Sequence, residues 1–222
     1  MEYIAIIPAR KNSKGLPNKN LVKLNGKPLI WWTIISALGA KKHHSIDIVV
    51  TSDSSTICDY VTDQFRYSVK VVHRPDDLAQ DTTPLVPVIY HALDTVKSHH
   101  DAVITLQPTS PLRTDIDIKN AIEIFEKEQS DSLVSVCEDL HVVYAIENNK
   151  VVTLVPRTQC RQLEKPVYVC NGAIFISKEY LIKSRFQRTG GKISLYIMTD
   201  HVDVHTKDDI ELAEFYLNRG KE

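Results

Sequence analysis

The chain has 222 residues, with 27 lysines and arginines against 28 acids and a net charge of -1. That length suits one α/β domain with a small appendage, and the balanced charge disfavours a polyanion-binding role such as nucleic-acid recognition. Cys58, Cys137, Cys160 and Cys170 are scattered without a CxxC pair. They indicate neither a zinc site nor a disulfide framework, and reduced thiols are expected. The first apolar run is only strand-length and ends at Pro8 and Arg10, short of a signal peptide or membrane span, which predicts a cytoplasmic protein with no membrane partner.

In chain order, "YIAIIPA", "IDIVVTS", "VKVVHR" and "DAVITLQ" read as strands, and segments starting near Pro28, Ser54 and Leu85 between them carry helical spacing. In the third of those segments Val88, Ile89, Ala92, Leu93 and Val96 fall on one face, as a helix packed on a sheet requires. "TDIDIKNAIEIFEKEQ" predicts the next helix and "SLVSVC" another strand. From about Glu138 to Val169 the alternation stops. Two β-like runs around Asn148 and Asn149 read there as a hairpin inserted into the domain. The pattern resumes with "GAIFIS", "ISLYIM" and a last helix from about Lys207, with Ile210, Ala213 and Leu217 on one face. Such alternation predicts βαβ units and a mostly parallel sheet.

In an open parallel sheet, ligands bind beyond the carboxyl ends of the strands. The first loop there, "RKNSKGLPNKN", carries Arg10, Lys11, Lys14 and Lys19. Ser13, Gly15 and Asn18 favour a turn, so the cations and backbone NH groups can hold triphosphate oxygens. A solvated basic loop is the competing reading of this feature taken alone. Neither GxxxxGK[ST] nor GxGxxG follows the strand, so P-loop and dinucleotide readings lose their main support. Other strand ends supply Asp53, then Arg74 and Asp81, then Gln107, Ser110 and Arg113. Each alone reads equally as a polar loop or helix cap, and their joint placement is what counts.

Near the end, Asp203 and His205 stand two apart, on one side of an extended segment. Asp203 is a candidate Mg²⁺ ligand, whereas histidine is a poor one and His205 reads better as a hydrogen-bond partner or a contact to metal-bound water. Asp208 and Asp209 suit the first turn of the last helix. His43, His44, His99 and His100 are expected in solvent, and Trp31 and Trp32 divided between core and rim.

"IPARKNSKGLPNKN", "RPDDLAQDTT", "LQPTSPLRT", "NGAIFIS" and "VDVHTKDDIELAE" together resemble the CMP-sialic acid synthetases, the acylneuraminate cytidylyltransferases, in the same order and over nearly the whole chain. The resemblance implies a Rossmann-like nucleotidyltransferase fold in a single domain, 1–222, whose insertion at about 138–169 is a β dimerisation element. It implies a homodimer that joins CTP and a nine-carbon 2-keto sugar acid into the CMP-sugar and pyrophosphate, with Mg²⁺ as cofactor. Carried over, Arg10 and Lys19 hold the triphosphate, Ser13 and Asn20 lie near the nucleotide, and Arg74 lies near cytosine. Gln107 meets the sugar, Arg161 faces the sugar site from the insertion, and Asp203 binds the metal with His205 at the second metal position.

Three departures bear on the sugar and metal. His205 stands where the family usually has a second acid, Val169 where many members have an arginine, and apolar residues around Leu85 where a serine is expected. "VPVIYHAL" resembles the legionaminic acid subgroup, which makes that acid a rival to sialic acid. The alternatives are a CMP-Kdo synthetase and a nucleotide-binding regulator without catalysis, for which His205 is the hint.

Overall fold

In strand β1 (Glu2–Pro8) five consecutive residues, Tyr3 to Ile7, are buried, the mark of a strand covered on both faces. The computed structural model describes residues 1–13, 15–155 and 165–219. After β1, a 3-10 turn (Lys19–Leu21) leads to the two-residue strands β2 (Lys23–Leu24) and β3 (Lys27–Pro28), joined through Asn25 and Gly26. Both linking residues have positive φ, 46° and 76°, as a tight hairpin turn demands. Then come α1 (Leu29–Ala40), β4 (Ser45–Ser52), α2 (Ser55–Phe65), β5 (Lys70–His73), α3 (Leu85–Thr95), β6 (Ala102–Thr105), α4 (Asp115–Lys127) and β7 (Ser132–Asp139). The hairpin strands β8 (Val143–Glu147) and β9 (Lys150–Val155), the long β10 (Val167–Lys178), the short α5 (Glu179–Lys183), β11 (Ile193–Ile197) and α6 (Lys207–Asn218) complete the order.

Local chemistry sets several helix starts. Ser54 accepts a hydrogen bond from the Ile57 NH. Thr114 with Asp117, and Thr206 with Asp209, form capping boxes at α4 and α6.

Seven strands make one sheet in the order β11-β7-β10-β6-β1-β4-β5. Neighbours run parallel except β10, which is antiparallel to both β6 and β7. The expected mostly parallel α/β sheet is therefore present, with one reversed strand. One face packs Tyr3, Ala5 and Ile7 against α1, α2 and α4 through Ile34, Ile57 and Phe125. The opposite face packs Ile4, Ile6 and Val103 against α3 and α5 through Ile89, Leu93 and Ile182. A third cluster joins Leu16 of the first loop to Val202, Val204 and Ile210 near the last helix.

β7 runs on to Asp139, and Val167 to Cys170 of β10 pair with it. Both ends of the 138–169 segment thus join the main sheet. β8 and β9 form a separate two-stranded sheet that turns at Asn148 and Asn149, with φ of 50° and 60°. Among the described residues, no helix is long and apolar enough to cross a membrane.

Candidate active site

β1, β4, β5 and β6 end on the same rim, and the loops that leave β1, β5 and β6 wall a cleft of about 310 Å³ together with Asp203 and His205. The first loop keeps to the sheet for one residue, where the Ala9 NH donates to the Thr51 carbonyl at 2.9 Å. It then turns back on itself. The buried Asn20 donates from Nδ2 to the Arg10 carbonyl at 2.8 Å, tying the two ends of the loop together. Asn18, at φ 51°, takes the left-handed conformation that the turn requires.

Far along the chain, the Val204 NH donates to the Thr109 carbonyl at 2.8 Å, which fixes the extended piece before α6 against the loop after β6. Lys19 Nζ donates to the Val204 carbonyl at 2.8 Å. Gly15 passes so close to this piece that a Cβ on it would stand 2.5 Å from the His205 carbonyl oxygen. Asp203 and His205 project to one side and meet, with Nε2 of His205 2.9 Å from Oδ2 of Asp203. The backbone NH groups of His205 and Thr206 hold the Asp209 carboxyl below its ordinary range, which anchors the start of α6.

The two arginines of the cleft are held by acids from neighbouring loops. Arg10 Nη1 lies 2.6 Å from Asp81 Oδ1, in a pair about a third exposed on each side. Arg74 is buried, and its Nη2 lies 3.2 Å from Asp53 Oδ1. Burial lowers the Arg74 pKa, opposed by the hydrogen bond to Asp53. Asp53 Oδ1 also accepts from the Lys11 NH at 3.0 Å, so one carboxylate joins the loops after β1, β4 and β5. Burial likewise lowers the Lys19 pKa, with the Asp203 charge opposing and Arg10 adding to the effect.

The structure therefore brings Arg10, Ser13, Lys19, Asn20, Arg74, Gln107, Asp203 and His205 onto one cleft. Arg161 and Lys14 lie outside the described residues. Among the described residues, no group of three or more His, Cys, Asp or Glu side chains is arranged to hold a metal ion. One cleft-facing carboxylate, Asp203, nonetheless suits Mg²⁺, which usually takes one or two carboxylates and draws its other ligands from substrate phosphate and water.

Sequence reasoning noted Asp53, Asp81 and Arg113 only as strand-end polar residues. It missed that the first two pair with the cations and that the third is buried, because nothing local encodes a pairing across tens of residues.

The family model for cytidylyltransferases matches residues 4–214. The chain is 34% identical over 234 residues to the CMP-N,N'-diacetyllegionaminic acid synthase of Legionella pneumophila subsp. pneumophila, covering 100% of this chain and 99% of that protein. It is 32% identical over 217 residues to the N-acylneuraminate cytidylyltransferase of Streptococcus agalactiae serotype V, over 94% of this chain but 52% of the relative, so it spans about half of that protein's length. Among solved structures, CMP:2-keto-3-deoxy-manno-octonic acid synthetase complexed with CTP aligns with a TM-score of 0.74 at 14% identity, covering 99% of each chain. The 4-diphosphocytidyl-2C-methyl-D-erythritol synthase of Anaerococcus prevotii aligns at 0.73 and 15%, over 98% of this chain and 99% of that one. Both share the fold. Since the matched span runs from β1 through the acid-bearing piece before α6, sheet and cleft included, the chain belongs to the cytidylyltransferase family.

Proposed function

We propose that this protein transfers CMP from CTP to the anomeric hydroxyl of a nonulosonic acid, a nine-carbon 2-keto sugar acid, and releases pyrophosphate. The observation that carries the reading is the gathering of Arg10, Lys19 and Asp203 on one cleft with Gln107. The full-length similarity to a CMP-N,N'-diacetyllegionaminic acid synthase favours a sugar of the legionaminic type over sialic acid itself.

In this reading the sugar hydroxyl oxygen attacks the α-phosphorus in line and gives up its proton to water, the bond from that phosphorus to the bridging oxygen breaks, and pyrophosphate carries the electron pair away. Arg10 exchanges Asp81 for a triphosphate oxygen, since the pair is short, accessible and at the cleft wall. Lys19, anchored on the Val204 carbonyl, keeps a fixed charge beside the phosphates. Such preorganised charge is the main lever on a phosphoryl-type transition state. Ser13 and Asn20 shape the nucleotide side, Arg74 faces the base and Gln107 the sugar. Asp203 would hold Mg²⁺, which would supply further neutralisation of the triphosphate, and His205 orients that carboxylate through its 2.9 Å contact.

We also infer a homodimer in the cytoplasm, where CTP is made. The β8–β9 hairpin stands apart from the main sheet and exposes Tyr144, Ile146, Val151 and Leu154. A lone two-stranded ribbon is marginal in water, and a second copy of the chain is the cover we assign to this apolar surface.

The test is pyrophosphate release with CTP and Mg²⁺ against N,N'-diacetyllegionaminic, N-acetylneuraminic and pseudaminic acids in parallel. Fastest release with the first is expected. Silence with all three alongside intact CTP binding by calorimetry would overturn the reading in favour of a nucleotide-binding regulator.

A further inference from the structure

Arg113 is a buried cation for which the reaction above has no use. Its side chain is sealed in the protein at 3% exposure. Burial pulls its pKa below the ordinary guanidinium range, and the Asp117 charge offsets part of that. Asp117 is itself committed elsewhere, to the Thr114 capping box and to the Tyr196 hydroxyl. The shortest bonds of Arg113 go to main-chain oxygens instead: Nη1 donates to the Gln107 carbonyl at 3.2 Å and to the Ala173 carbonyl at 2.7 Å. Nη2 has no partner among the described residues. A buried guanidinium is an expensive way to gain stability, and an apolar side chain of similar volume would serve stability better. What a guanidinium does that an apolar group cannot is fix two carbonyls at one separation.

Those carbonyls belong to two walls. Gln107 lies two residues beyond the end of β6, while Ala173 sits in an irregular stretch of β10 between Cys170 and Phe175, where the pairing with β7 slips its register. Side-chain hydrogen bonds hold that bulge. Asn171 Oδ1 accepts from the Ser135 hydroxyl at 2.6 Å and from the Ala173 NH at 3.1 Å, and Ser135 Oγ accepts from the Ile174 NH at 2.7 Å. At its turn Gly172 has φ +75°, and a Cβ there would lie 3.5 Å from Nε2 of Gln107, so the amide of Gln107 lies over the bulge. Bulges recur beside active sites because they re-aim side chains.

We propose that Arg113 is a positioning residue for the sugar acid: by clamping the Gln107 and Ala173 carbonyls it sets where Gln107 presents its amide to the substrate. This rests on Gln107 facing the sugar, as in the proposed function. Arg113 holds the sugar wall and leaves the nucleotide wall to Arg10, Lys19 and Arg74. A residue serving stability alone would disturb both walls together.

The test is a double-mutant cycle of Arg113→Lys and Gln107→Ala, with KM measured for both substrates, CTP affinity by calorimetry and the thermal midpoint. Lysine keeps the charge but replaces the rigid planar Nη1 donor that serves both carbonyls with a rotatable ammonium on a flexible stem, so the fold survives while the clamp loosens. Arg113→Lys is expected to raise the sugar-acid KM about tenfold and leave the CTP KM within about twofold. In the Gln107→Ala background the same change should add almost nothing. Equal rises in both KM values, an unchanged sugar KM, or full additivity with Gln107→Ala would overturn the role of Arg113. Gln107→Ala alone tests the reading beneath it, because an unchanged sugar KM in that variant removes Gln107 from the sugar site and the proposal with it.

Discussion

Along the cleft, Arg10, Lys19 and Arg74 are each held by another part of the chain: Asp81, the Val204 carbonyl and Asp53. On the β8–β9 hairpin, outside the cleft lining, Tyr144, Ile146, Val151 and Leu154 are left uncovered. The difference teaches that one chain fixes the charged residues of its cleft by itself, as a preorganised electrostatic site requires, and leaves the apolar surface of its hairpin open. In the proposed reading the first is the phosphate-binding half, and a second copy of the chain finishes the other. Loss of nucleotide chemistry and loss of sugar selection should therefore come from separate substitutions.

Arg10→Ala breaks the comparison most severely. Turnover should fall about 10²-fold or more, read as kcat for pyrophosphate release, and near-normal turnover would remove Arg10 from the phosphate site. Asp203→Asn should raise the Mg²⁺ concentration giving half-maximal rate about tenfold or more, and an unchanged metal titration would place the ion elsewhere. Ile146→Glu puts a charge on the most exposed apolar position of the hairpin, 77% accessible. Sedimentation should show a monomer with weakened sugar turnover and CTP affinity within about twofold, and a dimer of unchanged activity would defeat the interface.

Two smaller effects sharpen the nucleotide side. Asp81→Asn removes the competitor for Arg10, and because the pair is partly exposed the gain is at most ~1 kcal/mol. Calorimetry should show CTP binding tighter by up to about fivefold. Lys19 binds phosphate in its charged form, and burial sets its pKa below that of an ordinary lysine. Rising pH thus strips its proton early, and CTP affinity should decline on the alkaline side sooner than for an exposed lysine. Lys19→Arg should move that decline to higher pH.

Much of the fold was legible. Tyr3 to Ile7 announce their strand as a short continuous apolar run, Val88 to Leu93 and Ile210 to Ala213 announce their helices by period, and all three pack as those patterns require. The reversed direction of β10 was not legible, because alternation records faces and not direction. Its start was not legible either. Reading from Gly172 forward catches the buried half, Ala173 to Ser177, whereas Tyr168 to Cys170 are exposed and the glycine imitates a turn. The five-residue α5 is too short to show a period. In the site, Arg10 and Lys19 stood out by residue type in the loop after the first strand, and Asp203 by its place beside His205 on an extended segment. The acids that hold Arg10 and Arg74 were invisible as partners, since Asp81 and Asp53 are local only in three dimensions.

Lys19 reaches across 185 residues to Val204, and Gly15 abuts the His205 carbonyl. That part of the cleft thus takes shape only once two segments 185 residues apart have met. Contacts of such sequence separation form late and slowly, so β1, β4 and β6 can pair while the cleft is still open. On refolding, the cleft should be among the last parts of the domain to reach its final shape.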